Sequence, residues 1–179
     1  MTAFAKCRIK GSKAEAFLDY LVANKVPKKI GRINLCHALN TKGGVHSEFT
    51  SMREAEDSFY LVSAGAFQRL DHDWILKWMP KDGSVQFENL TNSIGVLVVS
   101  GPKARELMKK VSKDDFSNEN FKWLSSKKVN IGNAPVNAMR VNFVGELGWE
   151  LHHPMEYQNH IFDKLMEAGK DLGLKPYGI

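Results

Sequence analysis

Apolar side chains recur along the chain at two different spacings, which predict strands alternating with helices. Residues 4–10 alternate apolar and polar positions, as a strand of a half-buried sheet does. A Ser12-x-x-Glu15 capping-box pattern follows, and Phe17 and Leu21 then recur at the spacing of a helix. The first part of the chain is therefore predicted to be a strand followed by a helix.

Three further strand patterns follow, separated by short polar turns. They cover residues 32–39, 45–52 and 58–64, and their close succession predicts an antiparallel meander. Residues 66–79 then have apolar side chains at spacings of three and four, which predict an amphipathic helix that Pro80 ends.

The second half of the chain repeats this alternation. Strands are predicted at residues 85–90, 93–100, 128–131, 136–144 and 149–152, and helices at residues 102–111 and 154–167. The repeated order predicts an α+β fold of two intertwined lobes with mostly antiparallel sheets and flanking helices. We expect a lobe formed by about residues 32–90 to be inserted between residues 1–31 and residues 91–179.

The composition is that of an ordinary globular protein. Hydrophobic residues make up 43% and charged residues 25% of the 179 positions, which excludes collagen-like, disordered and disulfide-scaffold proteins. The net charge of +5 suits an anionic small molecule or an acidic partner. The charges are dispersed, however, so ordinary surface charge is the plainer interpretation, and we expect no nucleic-acid partner. Because no apolar stretch approaches the length of a membrane span, we expect no membrane partner either.

Cys7 and Cys36 form neither a CxxC pair nor a zinc-ribbon spacing. Two buried, reduced thiols are the favoured interpretation, which fits the cytoplasm, or the mitochondrial matrix if the source is eukaryotic. The first residues also lack the basic-then-apolar pattern of a secretory signal.

Several common site motifs are missing from the sequence. No GxGxxG follows a predicted strand and no GxxxxGK(S/T) occurs, which excludes the usual dinucleotide and P-loop phosphate sites. His152 and His153 look like a metal pair, but neighbouring side chains on a strand point to opposite faces, so one ion cannot easily take both. We therefore expect no metal site.

One candidate site lies on the predicted hairpin of residues 45–64. A tight turn between its strands predicts that Glu48 lies opposite Val62 and Thr50 opposite Tyr60, on one face of the sheet with Ala64 nearby. A carboxylate among apolar neighbours has a raised pKa, which suits proton transfer or the binding of a cation. The alternative is an edge glutamate that reaches solvent.

A second candidate site lies around residues 140–151. If residues 145–148 form a tight loop, Phe143 faces Glu150 across a hairpin. A ring and a carboxylate on one face could hold a flat heterocycle, with the carboxylate accepting two N–H bonds. The alternative is a core phenylalanine and a salt-bridged glutamate.

Three separated segments also show a family resemblance. Residues 43–50 (GGVHSEFT), 94–107 (IGVLVVSGPKAREL) and 141–151 (VNFVGELGWEL) resemble the aminomethyltransferase (glycine-cleavage T-protein) folate-binding fold. The form at the C-terminal end of dimethylglycine and sarcosine dehydrogenases looks most similar. The resemblance extends from about Phe4 to Gly178.

The resemblance implies a role for each candidate residue. Tetrahydrofolate would lie in a central cavity, and Glu48, where many relatives have Asp, would assist carbon transfer to it. Phe143 stands where the family has a tyrosine, so stacking is kept and a hydroxyl lost, and Glu150 would hold the pterin. The cavity-lining positions would be Thr50, Val62 and Ala64, the last in place of a common Asn.

The implied activity is transfer of a one-carbon unit from an N-methyl amine or aminomethyl donor, giving 5,10-methylenetetrahydrofolate within a larger dehydrogenase or cleavage system. FAD is expected only in a missing upstream domain or a partner chain. The chain is expected to be incomplete, because it ends just before the family's Asp-Ser-Leu-Arg-like segment. The alternatives are a non-catalytic folate-binding module and the RNA-modification or iron–sulfur-repair branch of the fold, for which no Lys-Gly-Cys-Tyr-like motif is present.

Overall fold

Alternating apolar positions build two antiparallel sheets in successive stretches of the chain. The computed structural model describes residues 3–178. By its internal contacts the chain divides into two compact units, Met1–Asn92 and Ser93–Ile179, and each is described by itself.

The first unit contains a five-stranded antiparallel sheet and two α-helices. In chain order these elements are β1 (Phe4–Lys10), α1 (Ala14–Leu21), β2 (Ile33–Leu39), β3 (Val45–Ala55), β4 (Ser58–Ala64), α2 (Gln68–Trp78) and β5 (Gln86–Asn89). The strand order is β2-β3-β4-β1-β5, so the predicted meander of β2, β3 and β4 is confirmed.

One face of this sheet forms the core of the first unit. Its apolar side chains pack with those of the two helices because both elements have one apolar side, and the buried cluster includes Phe17, Leu18, Phe49, Leu61 and Ile75. The opposite face also has buried side chains, namely Lys6, Met52, Tyr60 and Val62. Strand β4 therefore has buried side chains on both of its faces.

The second unit contains a four-stranded antiparallel sheet and two α-helices. Its elements are β6 (Ile94–Ser100), α3 (Ala104–Val111), β7 (Ser126–Ile131), β8 (Ala134–Met139), β9 (Gly148–Pro154) and α4 (Gln158–Ala168), with the strand order β6-β9-β8-β7. Trp149 is fully buried, and its ring meets those of Phe116 and Phe121 edge-on. Leu107 and Ile161 of the helices complete this core.

The predicted α+β class with antiparallel sheets and flanking helices is confirmed, whereas the start of α1 differs from the prediction. Lys13, not Ser12, is the N-cap residue, and no side chain caps the helix. Glu15 instead accepts hydrogen bonds from Lys28 and Arg53, which lower the pKa of its carboxyl group. Ion pairing with distant residues thus replaces the local capping box.

The division of the chain also differs from the predicted insertion of residues 32–90 between residues 1–31 and 91–179. Strand β1, within residues 1–31, pairs with both β4 and β5, so it belongs to the same sheet as the strands that follow it. The reason is that β1 is an interior strand of that sheet, between β4 and β5, and these two neighbours satisfy its backbone hydrogen bonds.

Both cysteines are buried free thiols, as predicted. Burial raises the pKa of Cys7 to about 12 and that of Cys36 to about 11. No helix within residues 3–178 has the length and apolar character of a membrane-spanning segment.

Candidate functional site

The register of the β3–β4 hairpin differs by two residues from the prediction. Thr50, not Glu48, lies opposite Val62, and Met52 lies opposite Tyr60. The shift arises because β3 continues to Ala55, with an irregularity in the ladder near its end and a turn only at residues 56–57. A shift of two residues keeps every side chain on its predicted face, since the side-chain period of a strand is two.

Glu48 lies on this face beside a histidine that the sequence analysis did not identify. His37 is its cross-strand neighbour on β2, and His37 Nε2 lies 2.9 Å from Glu48 Oε2. The Glu48 side chain is 54% exposed, so the expected apolar surroundings are wrong and the alternative of a solvent-reaching glutamate describes it better. The sequence predicts that the residue opposite Glu48 lies on β4. In the structure its hydrogen-bond partner, His37, lies on the edge strand β2.

The other predicted residues of the first unit differ in burial. Val62 is buried, Thr50 is half-buried and Ala64 is exposed. Thr50 and Val62 are direct cross-strand partners, and Lys6 of β1 lies opposite Val62 on its other side. Four predicted positions thus share one sheet face, with a lysine as an additional neighbour.

Lys6 is a second residue that the sequence analysis did not single out. It is 0% exposed, and this burial lowers the pKa of its amine to about 8. The only sign of this burial in the sequence is that Lys6 lies in a strand next to β4, which is apolar on both faces. A strand with one solvated face shows the same alternation of polar and apolar residues.

Glu150 lies in the second unit on the sheet face opposite Trp149, and it is 7% exposed. Its cross-strand neighbours are Val98 on β6 and Met139 on β8. His152 Nε2 lies 3.0 Å from Glu150 Oε2. Among residues 3–178 no hydrogen bond is formed to Oε1, so one oxygen of a buried carboxylate has capacity for a ligand donor.

Phe143 does not face Glu150, and the predicted hairpin around it is wrong. Strand β8 ends at Met139, so Met139 occupies the place opposite Glu150. Phe143 lies in the following loop and is 93% exposed. The chain leaves the sheet because Asn142 donates to Ser100 Oγ and accepts from the backbone N–H of Val144, which forms a local turn.

The adjacent histidines have separate partners. His152 contacts Glu150, whereas His153 bonds to the Leu151 carbonyl and the Gln158 side chain. Within the described part of the chain, no group of three or more His, Cys, Asp or Glu side chains is placed to hold a metal ion.

Comparison with known proteins identifies the family. The sequence profile of the GCVT N-terminal domain matches residues 1–179. The chain belongs to this family. The chain is 37% identical over 179 residues to mitochondrial dimethylglycine dehydrogenase from Homo sapiens, covering 99% of this chain and 21% of that protein. It is 31% identical over 182 residues to sarcosine oxidase subunit alpha from Rhizobium meliloti, covering 97% of this chain and 18% of that protein.

A solved structure shows the same fold. The glycine cleavage system aminomethyltransferase T from Bartonella henselae is 20% identical, with a TM-score of 0.79 over 92% of this chain and 44% of the other. The GCVT N-terminal domain thus spans less than half the length of these three proteins. The predicted resemblance to aminomethyltransferases and to dimethylglycine dehydrogenase is confirmed, and the sarcosine-related protein found is an oxidase subunit.

Proposed function

We propose that this GCVT N-terminal domain binds tetrahydrofolate and assists the transfer of a one-carbon unit from an N-methyl amine or aminomethyl donor, as part of a larger dehydrogenase or cleavage system. The observation that supports the proposal most directly is the buried Glu150 carboxylate, which has one oxygen without a protein donor among residues 3–178. A buried carboxylate with spare acceptor capacity favours a ligand that brings N–H groups.

The residues around Glu150 fit the pterin part of a folate. A pterin is a flat ring with adjacent N–H donors, and Oε1 of Glu150 has the lone pairs to accept from them. Val98 and Met139 beside Glu150 are apolar, so they exclude competing donors and strengthen each bond to the carboxylate. In this role Glu150 orients the ligand and selects for its N–H edge.

We assign Glu48 the catalytic role. When bound, tetrahydrofolate supplies the two nitrogens, N5 and N10, that receive the carbon as a methylene bridge. The negative charge of Glu48 stabilises a cationic one-carbon donor, and its Oε1 accepts the proton that is not taken by the leaving amine. His37 holds Oε2, which leaves Oε1 for that proton.

The remaining predicted positions have supporting roles in this proposal. Val62 and half-buried Thr50 form one cross-strand pair beside Glu48, and Ala64 keeps the strand end uncrowded. Phe143, on its exposed loop, packs against the ligand ring.

The same proposal assigns the oxidation of the amine to a part of the larger enzyme outside this chain. Oxidation of an N-methyl amine would require FAD in a further domain or a partner chain, which would also complete the folate pocket. The compartment would be the mitochondrial matrix in a eukaryote, since the human relative is a mitochondrial protein, and the cytoplasm in a bacterium.

A non-catalytic folate-binding module is the second candidate. The observation that favours it is the His37–Glu48 pair, because the carboxylate already has a partner and is open to water. The two candidates agree on folate binding and differ only in what Glu48 does.

Titration with tetrahydrofolate, followed by intrinsic tryptophan fluorescence, tests folate binding. We expect a saturable response in the wild type and an affinity about tenfold lower in Glu150→Gln, since a charge-assisted pair of hydrogen bonds is weakened. Glu146→Gln in the exposed loop is the matched control and should bind as the wild type does. No saturable response of the wild type at high micromolar ligand would contradict the proposal.

A transfer assay with the amine-oxidising part supplied separates catalysis from binding. Glu48→Gln should keep tetrahydrofolate affinity within about twofold and lose methylene transfer by about a hundredfold or more. If the wild type binds folate but forms no methylenetetrahydrofolate under the same conditions, the non-catalytic module is the correct description.

A further inference from the structure

Glu150 and His152 form a buried pair on strand β9. The two residues are two positions apart, so the pleat places them on the same sheet face. The His152 side chain is 2% exposed, and its Nε2 lies 3.0 Å from Glu150 Oε2. This separation is that of a normal hydrogen bond.

We infer that His152 is a positioning residue, which holds the Glu150 carboxylate so that its second oxygen receives the N–H donors of a planar heterocycle. The inference rests on the proposed function, since it assigns the recognition of the pterin edge to a pair of residues and not to Glu150 alone. It requires that Nε2 carries the proton and donates to Glu150.

The neighbours of Glu150 show why such a partner is needed. The side chains of Val98 and Met139 on the adjacent strands have no N–H or O–H group, and His152 is the side-chain donor that reaches Glu150 among residues 3–178. A buried carboxylate without a donor is strongly destabilised, so the carboxylate is held by the bond to His152. A fixed carboxylate loses less conformational freedom when a ligand binds.

Strand packing also restricts His152 itself. Its cross-strand neighbours are Val96 on β6 and Asn137 on β8, so the imidazole is enclosed from both sides of the strand. An enclosed ring keeps one orientation, and the carboxylate that it contacts then keeps one plane. His153, on the other face, contacts Gln158 and takes no part in this arrangement.

A double-mutant cycle with tetrahydrofolate as the probe tests the inference. We expect His152→Leu to weaken binding about tenfold and His152→Gln to recover most of it, because a glutamine amide can place an N–H near the position of Nε2. In the Glu150→Gln background, His152→Leu should change the affinity less than about twofold, since its effect acts through Glu150. Equal losses in both backgrounds would overturn the inference.

Two controls guard against a purely structural effect. Thermal unfolding of each variant establishes that it folds, and His160→Gln, at an exposed histidine of α4, should bind as the wild type does. If His152→Leu does not fold, the tetrahydrofolate affinities of His152→Gln and His152→Asn are compared in its place. The asparagine amide reaches the Nδ1 position and not the Nε2 position, so only Gln should keep the affinity, and equal affinities would overturn the inference.

A spectroscopic measurement separates this inference from the proposed function. Nitrogen-15 shifts of the His152 ring, recorded without ligand, should show the Nε2–H tautomer in the wild type. A mixture of tautomers in the wild type would overturn the pairing. If the Nε2–H tautomer is found but the wild type binds no tetrahydrofolate, the pair exists and the proposed function, with His152's role in recognition, is wrong.

Discussion

Lys6 is a charged residue that the fold buries completely. Its side chain is fully buried on β1, an interior strand of the first sheet, opposite Val62. Burial disfavours the charged ammonium and lowers the pKa of Lys6 to about 8. The folded chain therefore releases this proton at a lower pH than the unfolded chain does, which connects the stability of the domain to pH.

We predict that the free energy of unfolding contains a contribution from Lys6 that rises between about pH 8 and about pH 10.5. In this window the folded amine is neutral and the unfolded amine, with its ordinary pKa of 10.5, still binds a proton. The rise should be about 1 to 3 kcal/mol. Urea unfolding of the wild type and of Lys6→Met across this range measures it, and the variant should lack the rise.

Lys10→Met is the matched control, because Lys10 lies on the same strand and is exposed. The ionisation of the cysteine thiols acts in the opposite direction at high pH, since burial raises the pKa of both Cys7 and Cys36. The comparison is therefore the difference between each variant and the wild type. An identical pH profile for Lys6→Met and the wild type would contradict the prediction.

At the scale of elements, the hairpin of β3 and β4 and the loop after β8 place their predicted site residues differently. The hairpin keeps Glu48, Thr50 and Val62 on one face although its register differs from the prediction. The loop removes Phe143 from the sheet altogether, because the chain turns at Asn142. Backbone pairing fixes the positions of the strand residues, whereas the conformation of a loop determines the position of Phe143.

Two phenylalanines give a matched test of this difference. Phe49→Ala on β3 removes a ring from the core of the first unit and should lower the free energy of unfolding by about 3 to 5 kcal/mol. Phe143→Ala should change it by less than about 0.5 kcal/mol, because the ring is exposed. Denaturant unfolding measures both changes.

Phe143→Ala also tests whether the loop contributes to ligand binding. Under the proposed function, Phe143→Ala should weaken tetrahydrofolate binding about threefold to tenfold through the loss of ring packing. A large loss of stability in Phe143→Ala would contradict the exposed position. An unchanged affinity would remove Phe143 from the proposed site while leaving the position of the loop correct.

At the scale of the whole molecule, the net charge of +5 acts on anionic ligands. Folates with several γ-linked glutamates carry more negative charge than the monoglutamate. We predict that raising NaCl from about 50 mM to about 500 mM weakens binding of a pentaglutamate by about threefold or more beyond its effect on the monoglutamate. Equal salt dependence of the two ligands would show that the tail is not bound electrostatically.

Local patterns were sufficient for most elements and for the faces of the strands. Residues 4–10 and 58–64 were predicted with the bounds that β1 and β4 have, since alternation and short turns are local signals. The pairing of Glu48 with His37 could not be predicted in this way, because it depends on which strand becomes the second neighbour of β3. The end of β8 was missed because Asn142 bonds to Ser100, which is 42 positions away in the chain.

The amino-acid sequence by itself determined the α+β class, the family and the sheet face on which Glu48, Thr50 and Val62 lie. These properties follow from the period-two alternation of strands and from motifs of neighbouring residues. Only the tertiary structure decided the surroundings of each carboxylate: Glu48 reaches solvent beside His37, and Glu150 is buried against His152. Burial and hydrogen bonding depend on which strands lie next to each other and on where a strand ends, and long-range contacts determine both.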